Sequence, residues 1–366
     1  MKYLAILAVA VLILSGCTGY AVREERIQVG FIAALTGPVA DYGEPALKAA
    51  QLAVDEVNAN GGIGGKQVQL IVEDGKCNSK EAATVAQKLI DANKVQVILG
   101  GHCSPETLGA ASIAEQKQVV LFASISTSPD ITNAGDYIFR NSASSIKFSE
   151  ALAEYANENY DTLAIISETT SYAQPLADNL IKLYDGEVLA YELYNTEQND
   201  FRTEIIKLID SEPEAVFLSP QSQQKMDLLV KQLYELGYTG QILTNEVGAS
   251  DIAIEYLGEL TEGMIYATPP FEETDDSVKF REDFKAKYKT DKVAYEYFTM
   301  ESYDATKLIL EAIEQVGNDA DKIKNYLYSV EDWHGASGIT SIDENGDNLK
   351  SYSIHQIQKG KLALIQ

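Results

Sequence analysis

From Ile27 onward the chain alternates short apolar runs with longer stretches of helical spacing, and it does so in two rounds. In the first round IQVGFIAAL, VQLIVED, VQVILG and VVLFAS read as buried strands. Between them lie Pro45 to Ala59, Lys80 to Asn93 and Pro105 to Gln116, read as helices. The first of these carries Leu47, Ala50, Val54 and Val57 on one face and stops at NGGIGG. Continuous apolar runs linked by helices belong to a parallel sheet covered on both faces. The second round starts after Asn141, with LAIIS, EVLAYEL, AVFLS, QILTN and GMIYAT as strands. Three helical stretches follow, Ser277 to Tyr288, Tyr297 to Gln315 and Asp319 to Val330. The chain then closes on Ile339 to Ile342, YSIHQIQ and KLALIQ. The expected class is α/β, with two doubly wound units.

Size and charge narrow the function. A chain of 366 residues fits two domains, and 45% hydrophobic residues suffice for two cores. The 29 basic and 55 acidic side chains give a net charge of −26, which repels phosphate backbones. No nucleic-acid partner is expected. The acidic residues are dispersed, as on a solvated surface. The only histidines are His102, His334 and His355, and none sits in a nucleophile–base pattern. The chain is therefore read as a binder and not an enzyme, with no metal and no cofactor.

The start of the chain differs from the rest. Lys2 precedes an apolar run from Tyr3 to Leu14, too short to span a bilayer, and small residues close on Cys17. Residues 1–16 read as a signal peptide. LSGC resembles the lipobox of lipoproteins, which implies acylation of Cys17 and a tether over 17–25. A plain signal peptide or a signal anchor is the alternative. Stable anchoring requires two or more acyl chains. The remaining cysteines, Cys77 and Cys103, make an even pair in an exported chain, which points to a disulfide. Two free buried thiols are the alternative. A bridge closing a loop of about 25 residues adds roughly 3 kcal/mol.

Several segments carry a family resemblance. ALTGPVADYGEPALKAAQLAVDEVNANGGIGGKQVQLIVED, CNSKEAATVAQKLI, GGHCSPET, ASISTSPDIT and IDENGDNLKSYSIHQIQKGK resemble the periplasmic leucine/isoleucine/valine-binding proteins. The likeness covers nearly all of the chain after the tether. It implies the type I periplasmic binding protein fold, in which two Rossmann-like lobes are joined by a three-crossing hinge and clamp a ligand. One lobe would comprise 26–144 plus 271–330, the other 145–270 plus 331–366. It further implies a monomer that delivers a small molecule, most simply an amino acid, to an ABC importer permease. The chain would face the periplasm or cell exterior, held to a membrane only through Cys17. A sensory receptor of the same fold, or a transport receptor for an amide or small organic acid, is the alternative.

Candidate ligand residues follow from strand ends and from this resemblance. Ser104-Pro105 and Ser128-Pro129 each follow a strand, with Ser placed to cap a helix and Pro as its first residue. Helix starts present free N–H groups and a positive dipole end, suited to a carboxylate. The resemblance assigns the ligand carboxylate to Ser104 and Thr127 and a backbone contact to Ile125, with Cys103 beside them. It assigns the ammonium to Glu246 and cleft walls to Tyr42, Tyr172 and Phe298, with His102 and Ser126 bordering the pocket. Gln221 stands where the family has a tyrosine, and His102 replaces an apolar residue. Both changes, with Glu301 near Phe298, are expected to make the pocket more polar. If Cys77 and Cys103 are bridged, both will resist thiol labelling until reduced. Two labelled thiols in unfolded, unreduced protein would refute the bridge.

Overall fold

The computed structural model describes residues 26–366 apart from Pro38 and Glu272. The expected signal peptide, Cys17 and the tether lie outside the described residues. Strands β1 (Ile27–Ala33), β2 (Val68–Asp74), β3 (Val97–Gly100), β4 (Val120–Ala123) and β5 (Ile138–Arg140) form one sheet in the order β2-β1-β3-β4-β5. All its pairings are parallel. Alternation along each strand feeds two separate cores. Val29, Phe31, Leu99 and Phe122 face one layer, and Ile32, Ile98 and Leu121 face the other. Burial on both faces explains why these strands read as unbroken apolar runs.

Helices α1 (Ala40–Ala59), α2 (Ser79–Asp91) and α3 (Ser104–Lys117) connect these strands. Helices α2 and α3 cover one face with Ala82, Leu89, Ala110 and Ala114. The other face is completed from far along the chain. Leu308, Ile309 and Ile313 of the long helix Glu296–Val316, with Ile323 and Leu327 of the next, pack against Phe31 and Phe122. Helix α1 begins at Ala40, five positions before the start that Pro45 had suggested. Pro45 lies inside the helix, where its missing N–H leaves one first-turn carbonyl without its helical partner.

The second sheet contains β6 (Thr162–Glu168), β7 (Glu187–Tyr194), β8 (Ala215–Ser219), β9 (Gln241–Thr244) and β10 (Ile265–Thr268), all in parallel pairings. Strands Ser353–Gln358 and Lys361–Leu364 add to the β10 edge in antiparallel fashion. The protein is thus an α/β chain of two doubly wound lobes. Between them, residues 333–348 stay with the first lobe, because Trp333 and Ile342 pack on its core. The family resemblance had implied that everything from 331 belongs to the second lobe. Its short hairpin, Trp333–Gly335 with Gly338–Thr340, has no apolar period that could reveal its side. Among the described residues, no helix is long and apolar enough to cross a membrane.

The end of β5 and the loop before the last strands are tied by a buried cation. The fully buried Arg140 donates from Nε and Nη2 to both oxygens of Asp347, each at 2.6 Å. Its Nη1 donates to the Ser128 carbonyl at 2.7 Å, and Nη2 also donates to Thr132 Oγ1 at 2.6 Å. Next door, Asn141 donates to the Glu301 carbonyl at 3.1 Å and accepts from Thr340 at 3.0 Å. Removing the carboxylate alone strands a buried guanidinium. Asp347→Ala is expected to destabilise by about 3–5 kcal/mol, read as a lower urea midpoint. An unchanged midpoint would show that the pair does not brace the fold.

Candidate functional site

The site forms where the parallel strands of both sheets end. On the first lobe, β3 turns through Gly101, His102 and Cys103 into α3. Gly100 makes that turn possible, since its φ is +113° and an added Cβ would lie 2.0 Å from the Ile32 carbonyl oxygen. Gly43 does the same for α1, where a Cβ would meet the Ala34 carbonyl oxygen at 2.0 Å. These two close approaches set His102, Cys103 and Tyr42 at one strand-end rim, the usual place for ligands in such sheets.

All eleven residues expected at the ligand line one cavity of about 490 Å³, counted to its mouth. Tyr42, His102, Cys103, Ser104, Ile125, Ser126, Thr127 and Phe298 come from the first lobe. Tyr172, Gln221 and Glu246 come from the second. Val39 and Val247 complete the lining and were not singled out from sequence, although each adjoins a motif that was. Tyr42 stacks on Tyr295 with centroids 3.9 Å apart and lies 6.1 Å from the Phe298 ring. Cys103 is bonded to Cys77, with Cα atoms 5.7 Å apart, so a disulfide stands in the cavity wall.

Ser104 does not cap α3. The cap position is Cys103, Ser104 is the first helical residue and Pro105 the second. Ser104 Oγ instead accepts from the Ser128 N–H at 3.2 Å, which leaves its own proton for a cavity occupant. Ser128 does cap, but only a three-residue 3-10 turn at Pro129–Ile131. Thr127 Oγ1 is buried with no partner. This wall therefore offers unused hydroxyls beside the N–H groups of a helix start, a setting for an anion.

His102 is polar only on paper. Its ring lies 3.0 Å by Nδ1 from the Ile32 carbonyl, and Ser124 Oγ lies 3.2 Å from Nε2. Nδ1 thus donates and Nε2 accepts, and burial holds the ring neutral by lowering its pKa to about 4. Ser126 is likewise engaged, donating to the Gly101 carbonyl and accepting from Thr107. Neither residue adds hydrogen-bonding capacity to the cavity, contrary to the expectation for His102. Beneath them, the buried Glu106 accepts from the Cys77 N–H at 2.8 Å and the His102 N–H at 3.0 Å. Burial outweighs those bonds and pushes its pKa up to about 7. Nothing in the sequence marked Glu106, because its partners come from two other loops.

The second lobe presents the opposite chemistry. Glu246 is 8% exposed, and Tyr172 Oη donates to its Oε2 at 2.7 Å. Burial raises its pKa and the Tyr172 bond only partly offsets this. Gln221 is held by its backbone N–H, which donates to the buried Glu168 at 2.8 Å, while its own Oε1 has no partner. Behind Phe298, Lys350 donates to Glu301 Oε1 at 3.1 Å. Lys350 carried no sequence signal. Among the described residues, no group of His, Cys, Asp and Glu side chains could hold a metal ion.

Comparison with known proteins places the fold. A family model described as a periplasmic binding protein matches residues 26–361. The chain is 27% identical over 352 residues to the leucine-, isoleucine-, valine-, threonine- and alanine-binding protein of Pseudomonas aeruginosa, covering 94% of this chain and 92% of that one. Among solved structures, the branched-chain amino acid transporter substrate binding protein of Streptococcus pneumoniae, in complex with isoleucine, gives a TM-score of 0.84 at 25% identity. That match covers 93% of this chain and 99% of the other. A leucine binding protein of Thermotoga maritima gives 0.83 at 27% identity, covering 93% and 98%.

Glu106 should leave a signature in stability. Its folded pKa lies above that of an unfolded glutamate, near 4.3. The contribution is fully present below that value and is lost as pH rises through about 7. His102 acts in the opposite sense, so the difference between two proteins isolates Glu106. Glu106→Gln is expected to gain on the wild type, by on the order of 3 kcal/mol, between pH 4.5 and pH 7.5 in urea titrations. A pH-independent difference would refute this.

Proposed function

The chain belongs to the periplasmic binding protein family, and on that premise we propose that it captures an α-amino acid between its lobes and presents it to the permease of an ABC importer. One observation carries the reading. The cavity is bipolar, with unused hydroxyls at a helix start on one lobe and a buried carboxylate on the other. An α-amino acid carries the matching charges on adjacent carbons. Its carboxylate would meet Ser104 and Thr127 with the α3 N–H groups, and its ammonium would meet Glu246. Tyr42, Tyr172 and Phe298 would flank the rest as rigid walls. The names of the Pseudomonas, Streptococcus and Thermotoga relatives support amino acids as the ligand class. Gln221, with a free Oε1, favours a ligand bearing more N–H groups than a branched aliphatic one.

Closure would follow from ligand touching both lobes. The Tyr295 N–H donates to Asp251 Oδ1 at 3.1 Å, and Lys292 pairs with Glu255, so the lobes already meet across the mouth. The family works outside the cytoplasm. Acylation at Cys17 would keep a monomeric receptor beside its permease, and metabolic labelling with palmitate would report that anchor.

Glu246→Ala should weaken amino-acid binding by about 2–5 kcal/mol if the carboxylate is a desolvated charge partner. Calorimetry showing unchanged affinity would end that role. A thermal-shift panel of amino acids, their amides and organic acids is expected to show stabilisation by amino acids. A response confined to acids without an amine would overturn the reading.

A further inference from the structure

Glu246 and Glu301 reach one space from opposite lobes. Below Phe298 the ligand cavity adjoins a small extension lined by Thr127, Ser142, Glu246, Phe298, Glu301 and Tyr352. Glu301 is 1% exposed and sits on the helix Glu296–Val316, which packs on the first sheet. Ser142 donates to its Oε2 at 2.5 Å and Lys350 to its Oε1 at 3.1 Å. Lys350 is shared, with Tyr297 Oη and Ser337 Oγ each 3.3 Å away. Glu246 stands on the other lobe with Tyr172 as its side-chain donor. Two carboxylates thus line one narrow space, and Lys350 pairs with Glu301 from outside it.

We propose that Glu301 is a specificity-determining residue of the cleft: its carboxylate, on the lobe facing Glu246, makes a positive charge on the bound molecule a condition of closure. The inference rests on the amino-acid reading above. Like charges repel strongly where water is excluded. The charge of Glu301 already raises the proton affinity of Glu246, alongside the larger effect of burial. Lys350 pairs with Glu301, yet Glu246 still feels the Glu301 charge, so bringing the lobes together without a ligand cation sets one carboxylate against the other. An ammonium on Glu246 offsets both. A ligand of the same shape without the amine leaves the repulsion in place, however well its carboxylate meets Ser104. Glu246 therefore recognises the amine, and Glu301 penalises its absence.

The test compares an α-amino acid that binds the wild type with its des-amino carboxylic acid, by calorimetry. The proteins are the wild type, Glu301→Gln, and Glu301→Gln with Lys350→Met, which leaves no orphaned lysine. The expected result is a ratio of the two affinities narrowed by roughly tenfold in the double variant, chiefly through better binding of the des-amino acid. Its ligand-free form should also be more compact in small-angle scattering. A purely structural role would weaken both ligands alike, and an unchanged ratio would overturn the inference while leaving the amino-acid reading standing. If no amino acid binds the wild type, that reading fails and the inference falls with it. Should the double variant not fold, the isosteric Glu301→Gln alone decides the ratio.

Discussion

The arrangement depends on a buried guanidinium. Arg140 ends the last strand of the first sheet, and Asp347 lies in the loop that leads to the final strands of the second. A charge placed in the interior is stable only when fully matched, and here a bidentate carboxylate and two further oxygens match it. The pair fixes where two chain crossings run side by side. Asn141, Thr340 and Asn348 extend the same brace to the Glu301 carbonyl. These bonds lock the chain crossings to the first lobe and so fix the ends from which the second lobe starts.

The cleft gains selectivity from how its polar groups are already occupied. His102 and Ser126 spend their hydrogen bonds on Ile32, Ser124, Gly101 and Thr107, and so behave as walls. Thr127, Ser104 and Gln221 keep unused capacity. An occupant must satisfy these groups, since a polar atom buried without a partner costs about 1–3 kcal/mol. The amino-acid reading follows from which atoms are left over, more than from which residue types are present.

Much of this was legible in the sequence, for physical reasons. Two rounds of apolar runs specified the parallel strands of two sheets because burial on both faces leaves no polar alternation. The candidate ligand residues followed from the strand ends and the family resemblance, whereas the close backbone approaches at Gly43 and Gly100 became visible only in the structure. Other features had no local signal. Glu106, Lys350 and Arg140 acquire their roles from partners distant in the chain. The start of α1 was misplaced because Pro45 usually opens a helix, whereas here the first turn precedes it. The side to which residues 333–348 belong depends on Trp333 and Ile342 finding the first core, a tertiary event.

The late return of the chain bears on how it reaches its folded state. The first sheet needs Leu308 and Ile313 to cover one face, and the second needs Ser353–Gln358 and Lys361–Leu364 at its edge. Neither lobe is finished until almost the last residue has emerged. Contacts of such long sequence separation form slowly, since loop closure precedes any gain from packing. Neither sheet can be completed from the N-terminal part of the chain alone. Each lobe is therefore closed by segments from the far end of the chain, so truncation there exposes the apolar faces of both sheets at once.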